Sequence, residues 1–252
     1  MTDDIPDKPP ISRPSVRLAF AILAWGLVGV ASLYLMPLET LLPEGIELPR
    51  IVLLINPAIF VTIAAFVGWF AAPRAGLHAP VIEAMLERRN WQEAARGALL
   101  PALIVGAIGG AVLLAYGAAT SDLFTRQGAD MPQPLATRML YGGVSEEIML
   151  RWGMMSLLAW LLLRVRAPRG TALWAANVGA ALLFGLGHFP ALFAVMPDPP
   201  MHLIALVLLA NAGLGVLFGW LFMRRGLECA ILAHALTHLF GVGISAMIPG
   251  LG

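Results

Sequence analysis

The chain has 252 residues, 59% of them apolar or aromatic and only 12% charged, where an average soluble domain is nearer half apolar and a quarter charged. That composition excludes a water-soluble domain, a disordered chain and a disulfide scaffold, and the one cysteine, Cys229, permits neither an intrachain disulfide nor a cysteine metal cluster. A net charge of +1 without a long basic run gives no footprint for nucleic acid.

Residues 1–15, MTDDIPDKPPISRPS, are polar and proline-rich and are expected to form a disordered cytoplasmic tail. The remainder, 16–252, reads as one transmembrane domain. It holds seven apolar stretches, at 16–36, 51–72, 98–119, 139–163, 172–196, 203–223 and 229–249. Each is long enough to cross about 30 Å of hydrocarbon at about 1.5 Å per residue. The first is too long for a signal peptide, and no clean small-residue cleavage site follows it, so it is expected to be a retained anchor. The predicted fold is therefore all-α, a polytopic helical membrane protein of about seven spans.

Lysine and arginine set the orientation. The tail and the second, fourth and sixth loops carry twelve: Lys8, Arg13, Arg17, Arg74, Arg88, Arg89, Arg96, Arg164, Arg166, Arg169, Arg224 and Arg225. The opposite side carries Arg50, Arg126 and Arg138, and Arg151 lies within a span. This asymmetry predicts a cytoplasmic N-terminus, and the short loops suggest a bacterial plasma membrane. The long second loop contains Val81, Ile82, Met85 and Leu86 at helical spacing, with Glu87, Arg88 and Arg89 beyond. It predicts a helix lying on the cytoplasmic surface.

Ionisable groups inside spans are costly and are functional candidates by default. The fourth stretch contains GGVSEEIMLRWG. Glu147 and Arg151 are spaced i, i+4 and can neutralise one another on one helix face. Glu146 points elsewhere and is expected to be spare. An unpaired carboxylate in a low-dielectric site is the chemical type of a general base. The fifth stretch places His188 just before Phe189-Pro190, where the proline should break the helix. The seventh contains His234 and His238, again i, i+4, a spacing at which two imidazoles can reach one ion.

One spare carboxylate and three histidines suit hydrolysis, either by water activated directly or by water on a metal. Cys229, at a span end without an evident base, reads as packing. Gly215 and Gly219 form a small-xxx-small face for helix packing, not a phosphate loop. Counting rise per residue, however, puts Glu146 and His188 about 10–12 Å from the outer face and His234 about 20 Å from it. Either the boundaries of the fourth and seventh stretches are off by a turn or two, or the groups do not form one cluster.

Three motifs in order resemble one family. EEIMLR, Glu146 to Arg151, is similar to the EExxxR motif of the CAAX-protease and bacteriocin-processing family of intramembrane endopeptidases. FGLGH, Phe184 to His188, is similar to its FxxxH motif, and HALTH, His234 to His238, to its last motif, usually HxxxN or HxxxD. The resemblance covers about 135–245 and leaves the first three stretches without a matching motif. It implies a hydrolase of membrane-associated, prenylated or leader peptides. Glu146 would activate water, and His188, His234 and His238 would bind the carbonyl and oxyanion or ligate a metal, with zinc the candidate cofactor. Glu147 and Arg151 would support the site. The implied partners are a peptide or protein substrate at the membrane and the lipid bilayer. His238 stands where the family more often has Asn or Asp, which leaves open a glutamic or a metal-dependent site. The alternatives are a transporter or ion-binding membrane protein, and an inactive scaffold of the same fold.

Overall fold

The computed structural model describes residues 15–37, 48–126 and 133–245. Apart from Ser15, the expected tail lies outside the described residues. Among those residues every regular element is helical and there is no strand. This is an integral membrane protein of polytopic helical type.

Helix α1 (Val16–Ser32) starts at Ser15, whose hydroxyl accepts the Arg17 N–H at 3.2 Å and satisfies one of the unpaired donors of the first turn. A short α2 (Arg50–Leu53) leads into α3 (Ile55–Ala71). Next come α4 (Pro80–Leu86) and a long α5 (Trp91–Arg126). A single helical run then comprises α6 (Leu135–Thr137), two π-helical segments (Arg138–Glu146 and Ile148–Met155) and α7 (Ser156–Arg164). The chain continues through α8 (Arg169–Gly187), α9 (Phe189–Val195), α10 (Met201–Arg225) and α11 (Leu227–Ser245).

Six stretches among the described residues are long and apolar enough to cross a membrane: Val16–Leu35, Arg50–Ala71, Trp91–Phe124, Arg169–Val195, Met201–Arg225 and Leu227–Ile244. They correspond to six of the seven expected spans. The fourth expected span, 139–163, is not among them. It falls in the run 135–164, where Glu146, Glu147 and Arg151 dilute the apolar character and the winding changes to π. The break expected in the fifth span occurs at His188, which ends α8, with Pro190 in the first turn of α9 where its missing N–H costs nothing.

The core is shared by most of the long helices. Trp152, Ile148 and Met155 of the fourth run are fully buried, as are Ile22 of α1, Val61 of α3 and Phe218 and Leu221 of α10. Small residues allow the close approaches. A Cβ on Gly26 would meet the Val61 side chain, and one on Gly153 would meet Ala64, so α1, α3 and the fourth run pack closely. Gly215 faces Ala181 and Gly219 faces Asn177, so the small-residue face of α10 packs on α8 as expected. Cys229 is buried, and its thiol donates to the Ala98 carbonyl at 3.4 Å, a packing role.

The second loop does contain a helix, α4, but it does not merely rest on a surface. Ile82 and Ala84 are buried while Met85 is exposed. The Ile82 N–H donates to Glu228 Oε1 at 2.8 Å, and the Leu227 N–H donates to the His78 carbonyl at 3.0 Å. These bonds fasten α4 to the joint between α10 and α11. Glu228 lies one residue before the expected seventh span.

Candidate active site

The site is built on the fourth run. A π-helix bonds i to i+5; it is rare, and where it occurs it is frequently found at functional sites. Here side chains anchor the π-wound run to neighbouring backbones. The Thr137 hydroxyl donates to Ser32 O at 2.8 Å and the Ser145 hydroxyl donates to Gly26 O at 2.8 Å. Farther along, Trp152 Nε1–H donates to Ala65 O at 3.1 Å. Gly142 and Gly143 let α11 approach closely, since a Cβ on either would meet α11 atoms within 3.0 Å.

Glu147 is completely buried and has two partners. Its Oε2 lies 3.3 Å from Arg151 Nε, and its Oε1 accepts a hydrogen bond from His234 Nδ1–H at 2.9 Å. Arg151 is 1% exposed, donates from Nη2 to Gly215 O at 3.0 Å, and has its Cζ 5.2 Å from the Phe184 ring centroid and 5.9 Å from that of Phe218. A buried carboxylate and a buried guanidinium are tolerable together because each neutralises the other. The i, i+4 pairing expected for Glu147 and Arg151 is present.

Glu146, the adjacent residue, is half-buried. Among the described residues it makes no hydrogen bond and no ion pair, although it lies within electrostatic reach of Arg151 and Tyr141. The reading of one engaged and one spare carboxylate therefore matches the placement. The π winding widens the turn, and both carboxylates lie within electrostatic reach of the same guanidinium.

The histidines gather around aromatic rings. His234 is stacked on Phe218 at 4.6 Å and 17°, and on its other neighbour, His238, at 5.1 Å and 29°. Phe184 stands edge-on to His188 at 4.8 Å and to His234 at 5.8 Å. His188 Nδ1–H donates to Phe184 O at 2.8 Å. A carbonyl only accepts, so this bond fixes the tautomer and leaves His188 Nε2 as a lone pair. His234 likewise has Nδ1 committed to Glu147 and Nε2 free. His238 Nδ1 is buried without a hydrogen-bond partner, and Arg138, His188 and His234 are all within electrostatic reach of this ring. Thr237, between the two histidines, donates to its own helix at Ala233 O, 3.0 Å away, as expected.

The histidines and the Glu147–Arg151 pair form one cluster, which resolves the depth discrepancy. The fourth run begins at Leu135 and α11 at Leu227, respectively four and two residues before the expected boundaries. Among the described residues no group of three or more His, Cys, Asp or Glu side chains is placed to hold a metal ion. The i, i+4 spacing did bring His234 and His238 to one face, but their rings lie nearly parallel.

Sequence reasoning missed several members. Phe184 was visible within FGLGH but carried no polar signal. Phe218 was hidden in the glycine-rich face, and Arg138 was assigned to a loop because the span boundary was placed one residue after it.

Residues 131–240 match a protein-family model described as type II CAAX prenyl endopeptidase Rce1-like. The match bears out the resemblance to the CAAX-protease family and implies a CAAX-type intramembrane endopeptidase acting on a peptide at the membrane. It takes in Glu146, Glu147, Arg151, His188, His234 and His238 and stops short of α1, α3 and α5. No curated protein and no solved structure matches the chain.

Proposed function

We propose, from the Rce1-like match over 131–240 and the cluster it contains, that the chain is a glutamate-dependent intramembrane endopeptidase. The observation that carries this reading is the opposite fate of two adjacent carboxylates. Glu147 is spent on Arg151 and His234, while Glu146 is unpaired and half-buried beside them.

The chemistry is assigned as follows. Glu146 takes a proton from water as the water attacks the scissile carbonyl. His188 Nε2, with Nδ1–H held by Phe184 O, accepts a hydrogen bond from that water and orients it, and Glu146 then returns the proton it took to the leaving amine nitrogen as the C–N bond breaks. His234, as an imidazolium whose Nδ1–H is held by Glu147, donates its Nε2–H to the developing oxyanion, and neutral His238 donates from Nε2 beside it. Glu147 orients the His234 ring and compensates its positive charge. No step is routed through a metal. The substrate is a prenylated or leader peptide entering from the bilayer. The N-terminus lies in the cytoplasm of a bacterial cell, on the grounds of the arginine and lysine asymmetry, and residues 16–252 act as one transmembrane unit.

The test is cleavage of a farnesylated CAAX peptide and of a bacteriocin leader peptide in liposomes containing wild type or Glu146→Gln. The variant should elute and melt like wild type and lose cleavage by about 10³-fold or more, the size expected for a lost general base together with its positioned water. Undiminished cleavage in Glu146→Gln overturns the mechanism.

A further inference from the structure

Gly142 has a different environment from the other glycines of the fourth run. A Cβ at Gly143 would meet the Cβ, Cα and N of Ala235 at 2.8, 3.0 and 3.0 Å, and one at Gly153 would meet Ala64 at 2.7 and 2.9 Å. Both are ordinary helix-packing contacts. A Cβ at Gly142 would instead meet His238 Nε2 at 2.9 Å and Cδ2 at 3.3 Å, and His234 Nε2 at 3.6 Å. The backbone of this residue therefore lies against the working edges of two imidazoles.

Those rings have little freedom to retreat. His238 is stacked on His234, which is stacked on Phe218, a residue with no exposed surface. His234 is also fixed at Nδ1 by Glu147, itself completely buried and paired with Arg151. Displacing the His238 edge therefore presses on a stack closed at its far end. A methyl group at 142 would have to shift the His238 ring, whereas His234 Nε2, at 3.6 Å, would be at ordinary contact distance and would be disturbed only through the ring stacked on it.

We propose that Gly142 is a positioning residue for the histidine pair, and that it and His238 form a matched steric couple. The bare backbone at 142 makes room for an imidazole at 238 to hold its Nε2 beside that of His234. A shorter side chain at 238 would not need that room. This inference rests on the peptidase reading for its functional meaning, but not for its geometry.

The test uses full-length protein in detergent, labelled with 15N-histidine, as wild type, Gly142→Ala, His238→Asn, the double variant and Gly143→Ala. Ring-nitrogen spectra, thermal unfolding and cleavage of the farnesylated peptide are recorded for each. In Gly142→Ala the His234 and His238 ring signals should move, and cleavage should fall by roughly 100-fold, the cost of a displacement of about 1 Å. In the double variant the His234 signal should return to its position in His238→Asn, and cleavage should return to within about twofold of that single variant. Gly143→Ala should lower the melting temperature, and His238→Asn should not restore it. Ring signals unmoved by Gly142→Ala overturn the proposal, as does a double variant no better than Gly142→Ala. If the ring signals follow the expected cycle while wild type cleaves no peptide, the couple stands and the peptidase reading falls.

Discussion

Helices α1 and α3 meet the fourth run with backbone carbonyls, whereas α8, α10 and α11 meet it mainly with rings and imidazoles. Gly26 O, Ser32 O and Ala65 O accept from Ser145, Thr137 and Trp152, and neither α1 nor α3 presents a charged side chain to the site. From the other side come Phe184, His188, Phe218, His234 and His238, together with the Gly215 carbonyl that accepts from Arg151. The first group fixes the position and winding of the run. The second supplies chemistry to the residues that the winding exposes. The family match follows the same division, covering 131–240 and leaving out α1 and α3. A backbone carbonyl can be supplied by almost any sequence, so the supporting helices are free of motif, whereas the imidazoles cannot be replaced in that way.

The largest expected effect lies on the chemical side. Glu147→Gln leaves Arg151 buried with an uncompensated charge and removes the anion that holds His234. Breaking a buried pair by removing one partner costs about 3–5 kcal/mol. The variant should unfold at much lower temperature in detergent, and cleavage should fall with the folded fraction and beyond it. Glu146→Gln, one residue away, should melt like wild type. Equal stability of the two variants would erase the distinction between an engaged and a spare carboxylate on which the proposed mechanism depends.

Much of this was legible from charge and periodicity. Ionisable residues are so costly in an apolar helix that Glu146, Glu147, Arg151, His188, His234 and His238 stood out as a set, and the i, i+4 rule paired Glu147 with Arg151 correctly. The seven apolar stretches located the helices to within a few residues in most cases, because hydropathy is set by the bilayer. Three things were not legible. Glu147 as the partner of His234 depends on how two helices 87 residues apart are brought together, which no local pattern encodes. The π winding of the run, whose side chains are bonded to backbone carbonyls of α1 and α3, is not encoded in a 3.6-residue periodicity. The stacking of His234 between Phe218 and His238 involves a residue without any polar signature.

The supporting side can be tested with smaller changes. Ser145→Ala removes the donor to Gly26 O, and Trp152→Phe removes the donor to Ala65 O. Hydrogen bonds between membrane helices average about 0.6 kcal/mol, and bonds in proteins generally about 1 kcal/mol. Each variant should lower the melting temperature modestly, with Trp152→Phe the larger because it also trims a fully buried ring. The two side chains lie on one run, but their acceptors are on different helices and they share no partner, so the two losses should add. A cleavage defect in the double variant greater than its stability loss would indicate that the carbonyl contacts maintain the π winding. Two variants with unchanged melting temperatures would mean that the winding is held from the α11 side alone.

The smallest effect concerns α4, which is fastened to the joint between α10 and α11. Burial alone would push the Glu83 carboxyl up, but the His78 ring at 3.7 Å and the Ala79 N–H, which donates to Oε1 at 3.0 Å, hold it below its ordinary value of 4.5. A carboxyl depressed in the folded state stabilises that state above its unfolded value and loses the contribution as pH falls through the folded value. Glu83→Gln should therefore be less stable than wild type at pH 7, by under about 1 kcal/mol for a partly exposed contact. The gap should close progressively below about pH 4.5, where the wild-type carboxyl takes up its proton. Melting curves of both proteins across that range decide the matter. A gap that persists unchanged at pH 3 would mean that Glu83 acts through packing and not through its charge, and that α4 is held to the α10–α11 joint by Glu228 and the His78 carbonyl alone.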